Sequence, residues 1–135
     1  IYERVRELAE TIVDAMEAGD ETLHDSLCLS LRSYYDEQTR LGREHPFLTE
    51  VTADFTDDPA EAARLFQLSL EQAEAFAGEP THTKMISLAQ RLIEIGRAEQ
   101  AQAYLRDGRV EAIRHNDTFW IEEADRLLQE LSSAE

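Results

Sequence analysis

The chain contains few of the residues that crosslink or interrupt a protein: one cysteine, three prolines and five glycines in 135 residues. A single cysteine, Cys28, can form no disulfide within the chain, which favours a reducing compartment. No apolar run approaches the roughly 20 residues that a transmembrane helix needs. No basic segment followed by an apolar one indicates a signal peptide. These absences predict a cytoplasmic protein outside the membrane.

Motifs for catalysis and cofactor binding are also missing. The glycines are scattered rather than gathered into a phosphate-binding loop. No serine lies in a glycine-flanked turn, and no recognisable histidine motif accompanies Cys28. Cys28 stands in an apolar run at 27–29, so we expect a buried structural thiol. The sequence therefore predicts no enzymatic activity and no cofactor.

Acidic residues outnumber basic ones by 29 to 13, and the formal net charge is −16. A surface of this sign repels nucleic acid phosphates and anionic lipids. It favours a basic protein partner, with an encounter that the electric field accelerates and salt slows. The alternative to a basic partner is that the acidic excess only keeps a helical protein in solution. Twelve of the thirteen basic residues are arginine, which indicates genome composition rather than a site.

Apolar residues three and four positions apart predict an all-α fold with about seven helices. The spans are about 2–18, 21–41, a short helix after Pro46, 58–77, 82–95, 97–115 and 117–132. Thr49, Val51 and Phe55 also suit a strand, but no partner strand is evident. No linker divides the chain, so we predict one domain over residues 1–135, with a helix pair at 1–45 followed by repeats at 46–131.

Two of these helices form the clearest pattern in the chain, joined by Gly96. Ala89 and Ala101 provide small residues where the paired helices would approach, and Leu92 and Leu105 provide large apolar ones. Gly108 stands at a later small position. The pattern partly recurs 35 residues further on, where Trp120 corresponds to residue 85. This pattern resembles the tetratricopeptide repeat (TPR), which alternates two helices with a period near 34 residues.

The resemblance implies stacked antiparallel hairpins in a short right-handed superhelix, whose first helices line a concave groove that binds a peptide or protein. The unit at 85–108 fits best, whereas the preceding unit has Glu50 where a small residue is expected and Asp57 in place of the turn glycine. Carried over position by position, the groove candidates are Phe47, Leu48, Val51, Asp54, Thr83, Ile86, Ser87, Gln90, Ile93, Glu94, Ile121, Glu122 and Asp125.

Metal binding is the competing hypothesis, because helical bundles with Glu-x-x-His pairs can hold two irons. Glu21 and His24 have this spacing, as do Glu79 and His82, but the second pair lies in a turn. We expect His24 and His82 to be surface or capping residues, and we expect no metal site.

The sequence favours a non-catalytic scaffold that binds a protein, with a basic partner expected from the charge. A narrower version is a small acidic immunity protein or chaperone that neutralises a toxin or effector. A helical metal-binding enzyme is a further alternative. A fourth is a structural role in which the groove is filled by the chain's own terminal helix or by a second copy. Trp120 falls at a position that the repeat family buries, so we expect it in the core.

Overall fold

Seven helices make up most of the computed structural model, which describes residues 1–133 and shows no strand in that range. The helices are α1 Tyr2–Glu17, α2 Glu21–Arg40, α3 Pro46–Asp54, α4 Pro59–Ala73, α5 His82–Glu94, α6 Ala98–Arg114 and α7 Thr118–Ser133. The predicted fold class is therefore confirmed, and the region of mixed preference after Pro46 is helical. The last two residues of the predicted domain, Ala134 and Glu135, lie outside the described residues.

Helix α4 ends at Ala73, whereas the sequence pattern predicted an end near Ala77. The backbone N–H groups of Ala75 and Phe76 bond to carbonyls three residues earlier rather than four. This tighter geometry is common where a helix terminates. The turn then passes through Gly78, whose φ of +83° favours glycine.

Side-chain caps explain where three of the helices begin. The Asp20 carboxylate accepts a hydrogen bond from Leu23 N at 3.0 Å, and the Asp58 carboxylate accepts one from Glu61 N at 3.1 Å. At the start of α3, His45 Nδ1 accepts from Phe47 N. Each cap satisfies an amide that the first turn leaves without a partner.

Consecutive helices pack as antiparallel hairpins, and the hairpins stack along the chain. Helix α1 packs on α2 and α3, and α3 packs on α4; α5 packs on α4, α6 and α7. One cluster of buried apolar residues runs from Val5 in α1 to Leu131 in α7. None of the helices within residues 1–133 combines the length and the apolar character that a bilayer span requires.

Helices α5 and α6, where the repeat-like pattern is clearest, approach each other closely. Ala89 and Ala101 are fully buried there. Gly108 faces α5 so closely that a Cβ placed on it would lie 2.8 Å from Ile86 Cγ1 and 3.2 Å from Met85 Cβ. Since Ile86 is itself in the core, it has little room to move. The small residue at 108 therefore sets the distance between these two helices.

We expect Gly108→Ala to destabilise the fold, although alanine favours a helix over glycine by about 1 kcal/mol. The steric conflict with Ile86 should outweigh that gain and leave a net loss of about 1–3 kcal/mol. Urea unfolding of Gly108→Ala, Ile86→Ala and the double variant forms a mutant cycle that measures this. The double variant should lose less than the two single losses combined; simple additivity would show that the two positions do not conflict.

Candidate functional site

The predicted groove residues lie on three helices that occupy equivalent places in successive hairpins. Phe47, Leu48, Val51 and Asp54 are on α3, Thr83 to Glu94 are on α5, and Ile121, Glu122 and Asp125 are on α7. Direct packing of α5 against α7 places two of these segments side by side. A hydrogen bond and an ion pair also connect α3 to α5.

Burial divides the candidates into accessible and inaccessible residues. Leu48, Val51 and Ile86 belong to the core, with exposed fractions of 1%, 5% and 1%, so we remove them from the candidate surface. The half-buried members are Phe47, Thr83, Ser87, Ile93 and Ile121, and the exposed members are Asp54, Gln90, Glu94, Glu122 and Asp125. We call these ten residues the groove surface, after the groove that the sequence predicts. Its exposed part carries four acidic residues.

Arginine side chains connect the groove surface to its surroundings. Arg91 donates to the backbone carbonyl of Asp54 at 3.5 Å and lies 3.3 Å from a carboxylate oxygen of Glu94. On the next hairpin, Arg109 Nε donates to Asp125 at 2.6 Å. Asp125 is therefore compensated by a cation of the same chain, while Glu122 has no such ion pair among the contacts within residues 1–133.

Beneath this surface lies Lys84, the chain's only lysine, with no exposed side-chain area. Its ammonium donates to Glu79 Oε1 at 2.8 Å and to the Pro80 carbonyl at 2.7 Å, and it lies 2.9 Å from Glu50 Oε1. The two carboxylates are only 11% and 13% exposed. We call these four residues the lysine network; they join α3, the α4–α5 turn and α5.

The network gives roles to two residues that the sequence left unexplained. Lys84 has a structural role, because a buried ammonium needs nearby carboxylates to offset its lost hydration. Glu50, which departs from the small residue of the repeat pattern, supplies one of them. The departure from the family pattern is therefore the feature that ties α3 to α5.

We expect Lys84→Met to lower the free energy of unfolding by about 3–5 kcal/mol, since it leaves two largely buried carboxylates without their counter-ion. Arg6→Met is the matched control, because Arg6 and Glu10 form an exposed pair of a kind that contributes about 0–1 kcal/mol. Chemical denaturation of both variants provides the comparison. Equal small losses would show that the lysine network does not hold the helices together.

Asp54 follows Glu50 by one helical turn and has a pKa raised from 3.8 to about 7. Desolvation is the main cause and repulsion by Glu50 the second, while Arg91 and Lys84 act in the opposite direction. The residue is exposed overall, so the carboxyl group loses only part of its hydration beside Glu50 and Arg91. Asp54 thus retains its proton at a pH where ordinary aspartates have lost theirs.

The Asp54 pKa has a consequence for stability. The folded chain holds this proton more tightly than the unfolded chain, so the free energy of unfolding falls as the pH rises from about 4 to about 7. Asp54→Asn should remove this fall and be more stable than the parent above pH 7. Because water on the open side screens the repulsion, we expect a gain of about 1 kcal/mol.

Denaturation of the two proteins at several pH values, with an NMR titration of the Asp54 carboxyl group, measures both effects. The stability difference should vanish near pH 4. A difference that is independent of pH, or a carboxyl midpoint near the ordinary value, would contradict the assignment.

The histidines differ from expectation. His82 is 3% exposed rather than on the surface, and its Nε2 lies 2.9 Å from Asp117 Oδ2. Its ring stacks on that of His115, with centroids 5.0 Å apart. The contact with Asp117 bridges 35 residues and connects the start of α5 to the start of α7, so the role of His82 is structural packing rather than capping.

The Glu-x-x-His pairs do not assemble into a metal site. Across residues 1–133, no three His, Cys, Asp or Glu side chains are placed to hold one ion. Glu79 is engaged by Lys84, and His82 by Asp117. The aromatic residue expected in the core, Trp120, is half-buried against the core cluster, with the exposed Phe119 ring 5.3 Å away.

Cys28 has a histidine partner that the sequence motifs did not indicate. His24, one turn earlier on α2, places Nε2 3.7 Å from Sγ, and its Nδ1 lies 3.4 Å from Asp25 Oδ1. Cys28 is half-buried, not fully buried as expected. Desolvation, followed by repulsion from Asp57 and Asp25, raises the pKa of the thiol. A nucleophilic cysteine requires the opposite direction.

Comparison with known proteins gives no match: neither a family model, nor a curated protein, nor a solved structure matches this chain.

Proposed function

We propose that this chain is a non-catalytic, TPR-like interaction module that binds a basic protein segment along its groove surface. The observation that carries the proposal is the acidic excess of the chain as a whole, together with four acidic residues placed around half-buried apolar side chains on α3, α5 and α7. Phe47, Ile93 and Ile121 offer apolar contact, and Glu94 and Glu122 offer carboxylates beside it. An amphipathic segment with basic residues on its polar face complements this combination.

The internal ion pairs strengthen the electrostatic argument. At least eight of the thirteen basic residues pair with carboxylates of the same chain. The cations are thus largely occupied locally, and the acidic excess remains for an external partner. A net charge of −16 also opposes close association of two copies, which favours a partner of opposite sign over self-association.

The groove surface suits binding by side chains more than by backbone pairing. Helices leave no free strand edge, so affinity has to come from burying apolar groups and from charge pairs at the rim. Rim charges chiefly raise the association rate and respond to salt. Removing Glu94 and Glu122 is therefore expected to slow association more than it speeds dissociation.

Selection of displayed 16-residue peptides on the whole chain tests the proposal, with the affinity of purified hits measured in low and high salt. We expect basic amphipathic sequences whose Kd rises at least about tenfold between 0.05 and 0.5 M NaCl, where the Debye length falls to about 4 Å. Glu94→Gln with Glu122→Gln should weaken them in low salt by about tenfold through the association rate.

The matched control is Glu71→Gln with Glu74→Gln, which removes the same charge from exposed positions on and after α4. These variants should change affinity by less than about threefold, because the charges lie away from the groove surface. Binding that ignores salt, or that weakens equally in both double variants, would contradict a groove that recognises basic segments.

A further inference from the structure

A pocket of about 410 Å³ lies between α2 and the residues that follow α3. Leu29, Leu31 and Phe55 supply apolar wall, and His24, Asp25 and Asp57 supply polar groups. The volume falls within the range of about 300–1,000 Å³ typical of small-ligand sites. None of these residues was among the groove candidates, because they come from α2 and from the segment after α3, whose contact the repeat pattern does not specify.

The pocket has an unpartnered apolar surface at its edge. Leu29 is 70% exposed, the largest such value among the exposed large apolar side chains of residues 1–133. Phe55 is half-buried and packs against the core cluster. An exposed leucine beside a half-buried aromatic ring leaves room for an aliphatic chain to lie between them.

The polar side of the pocket is negative. Asp25 and Asp57 line the pocket together with Cys28, and after desolvation, the main cause, their repulsion raises the pKa of the Cys28 thiol. With the proton on His24 Nδ1, that nitrogen donates to Asp25 and Nε2 accepts from the thiol, so one tautomer accounts for both contacts. Cys28 and His24 then satisfy each other.

Arg32 is the basic residue of the pocket wall, and its charge is already compensated. Its guanidinium lies 3.5 Å from Asp36 and 3.7 Å from Glu61. It also lies over the ring of Tyr35, with Cζ 5.5 Å from the centroid. Among the ion pairs within residues 1–133, neither Asp25 nor Asp57 has an arginine or lysine partner, so their negative charge can attract a cation from outside the chain.

A second, smaller pocket of about 260 Å³ lies near the first, and His24 lines both. It is formed by Met16 and the turn from Gly19 to Glu21. Met16 is 58% exposed, so this pocket also offers apolar surface beside carboxylates. Phe55 and Asp57 of the first pocket come one and three residues after Asp54, so that pocket lies at the end of α3 that carries Asp54.

We propose that the pocket between α2 and the end of α3 binds an arginine side chain of the basic partner segment. This inference rests on the proposed function and names the residue that anchors the partner. The aliphatic stem would lie against Leu29 and Phe55, with the guanidinium between Asp25 and Asp57. Arginine suits the site better than lysine, because its planar, weakly hydrated head enters apolar surroundings more readily and can pair bidentately with carboxylates.

Amide NMR of the whole chain tests this with short probes that differ only at the anchor. The probes are the blocked peptide Ala-Leu-Arg-Leu-Ala, its citrulline and lysine counterparts, and free L-arginine. The arginine peptide should shift the amide signals of Leu29, Phe55 and Asp57. The citrulline peptide, which has nearly the same shape without the charge, should bind at least about tenfold more weakly. Lysine should be intermediate.

Variants locate the binding. Asp25→Asn with Asp57→Asn should weaken the arginine peptide by about tenfold or more. Asp14→Asn with Asp107→Asn removes the same charge from exposed positions elsewhere and should have an effect below about threefold. A folded spectrum of each variant confirms that the helices are intact.

Several outcomes would overturn the inference. Equal binding of the citrulline peptide would remove the role of charge, and signal shifts confined to α5 and α7 would place the anchor elsewhere. Free L-arginine binding as well as the peptide would assign the pocket to the amino acid instead of a partner. If peptides selected from the library bind with salt sensitivity but leave the amide signals of the pocket unchanged, the arginine anchor is wrong and the groove proposal stands.

Discussion

The buried ammonium of Lys84 is the constraint around which the middle of the molecule is arranged. It connects Glu50 of α3, Glu79 and Pro80 of the α4–α5 turn, and the helix that carries it. A buried ion pair stabilises a fold mainly by making other arrangements costly, since any shift that separates the partners leaves a charge without hydration. The placement of α3 beside α5, on which the groove surface depends, is thereby specified.

The same network accounts for the electrostatics above it. Two carboxylates share one ammonium, so the site retains negative charge, and Asp54 one turn away holds its proton because desolvation and Glu50 disfavour a further anion. Elsewhere six of the twelve arginines pair on the surface with neighbours three or four residues away. Such pairs contribute little to stability individually, but they leave the net negative charge of the chain without internal compensation.

Periodicity was sufficient to predict the helices, because each helix has to bury one apolar face and this requirement is local. The turn at Gly96 marked the boundary between α5 and α6 for the same reason. The predicted end of α4 was four residues too late. Glu74 to Ala77 are acceptable helix residues, and only the turn that follows them shortens the spacing of the backbone hydrogen bonds there to three residues. The close contact at Gly108 was anticipated from the repeat pattern, but its distance from Ile86 was not.

The polar sites could not be predicted in this way. A repeat pattern indicates which positions face a neighbouring helix, but it does not indicate which side chains that helix places there. Lys84 and Phe119 occupy corresponding positions 35 residues apart, yet the lysine is fully buried and the phenylalanine is 65% exposed. Lys84 can be buried because carboxylates from the preceding hairpin reach it. His82 was misassigned for the same reason, since its partner Asp117 is distant in sequence. Charge, burial and site chemistry in this fold are therefore properties of the contacts between hairpins, and the pocket beside Cys28 arises at such a contact.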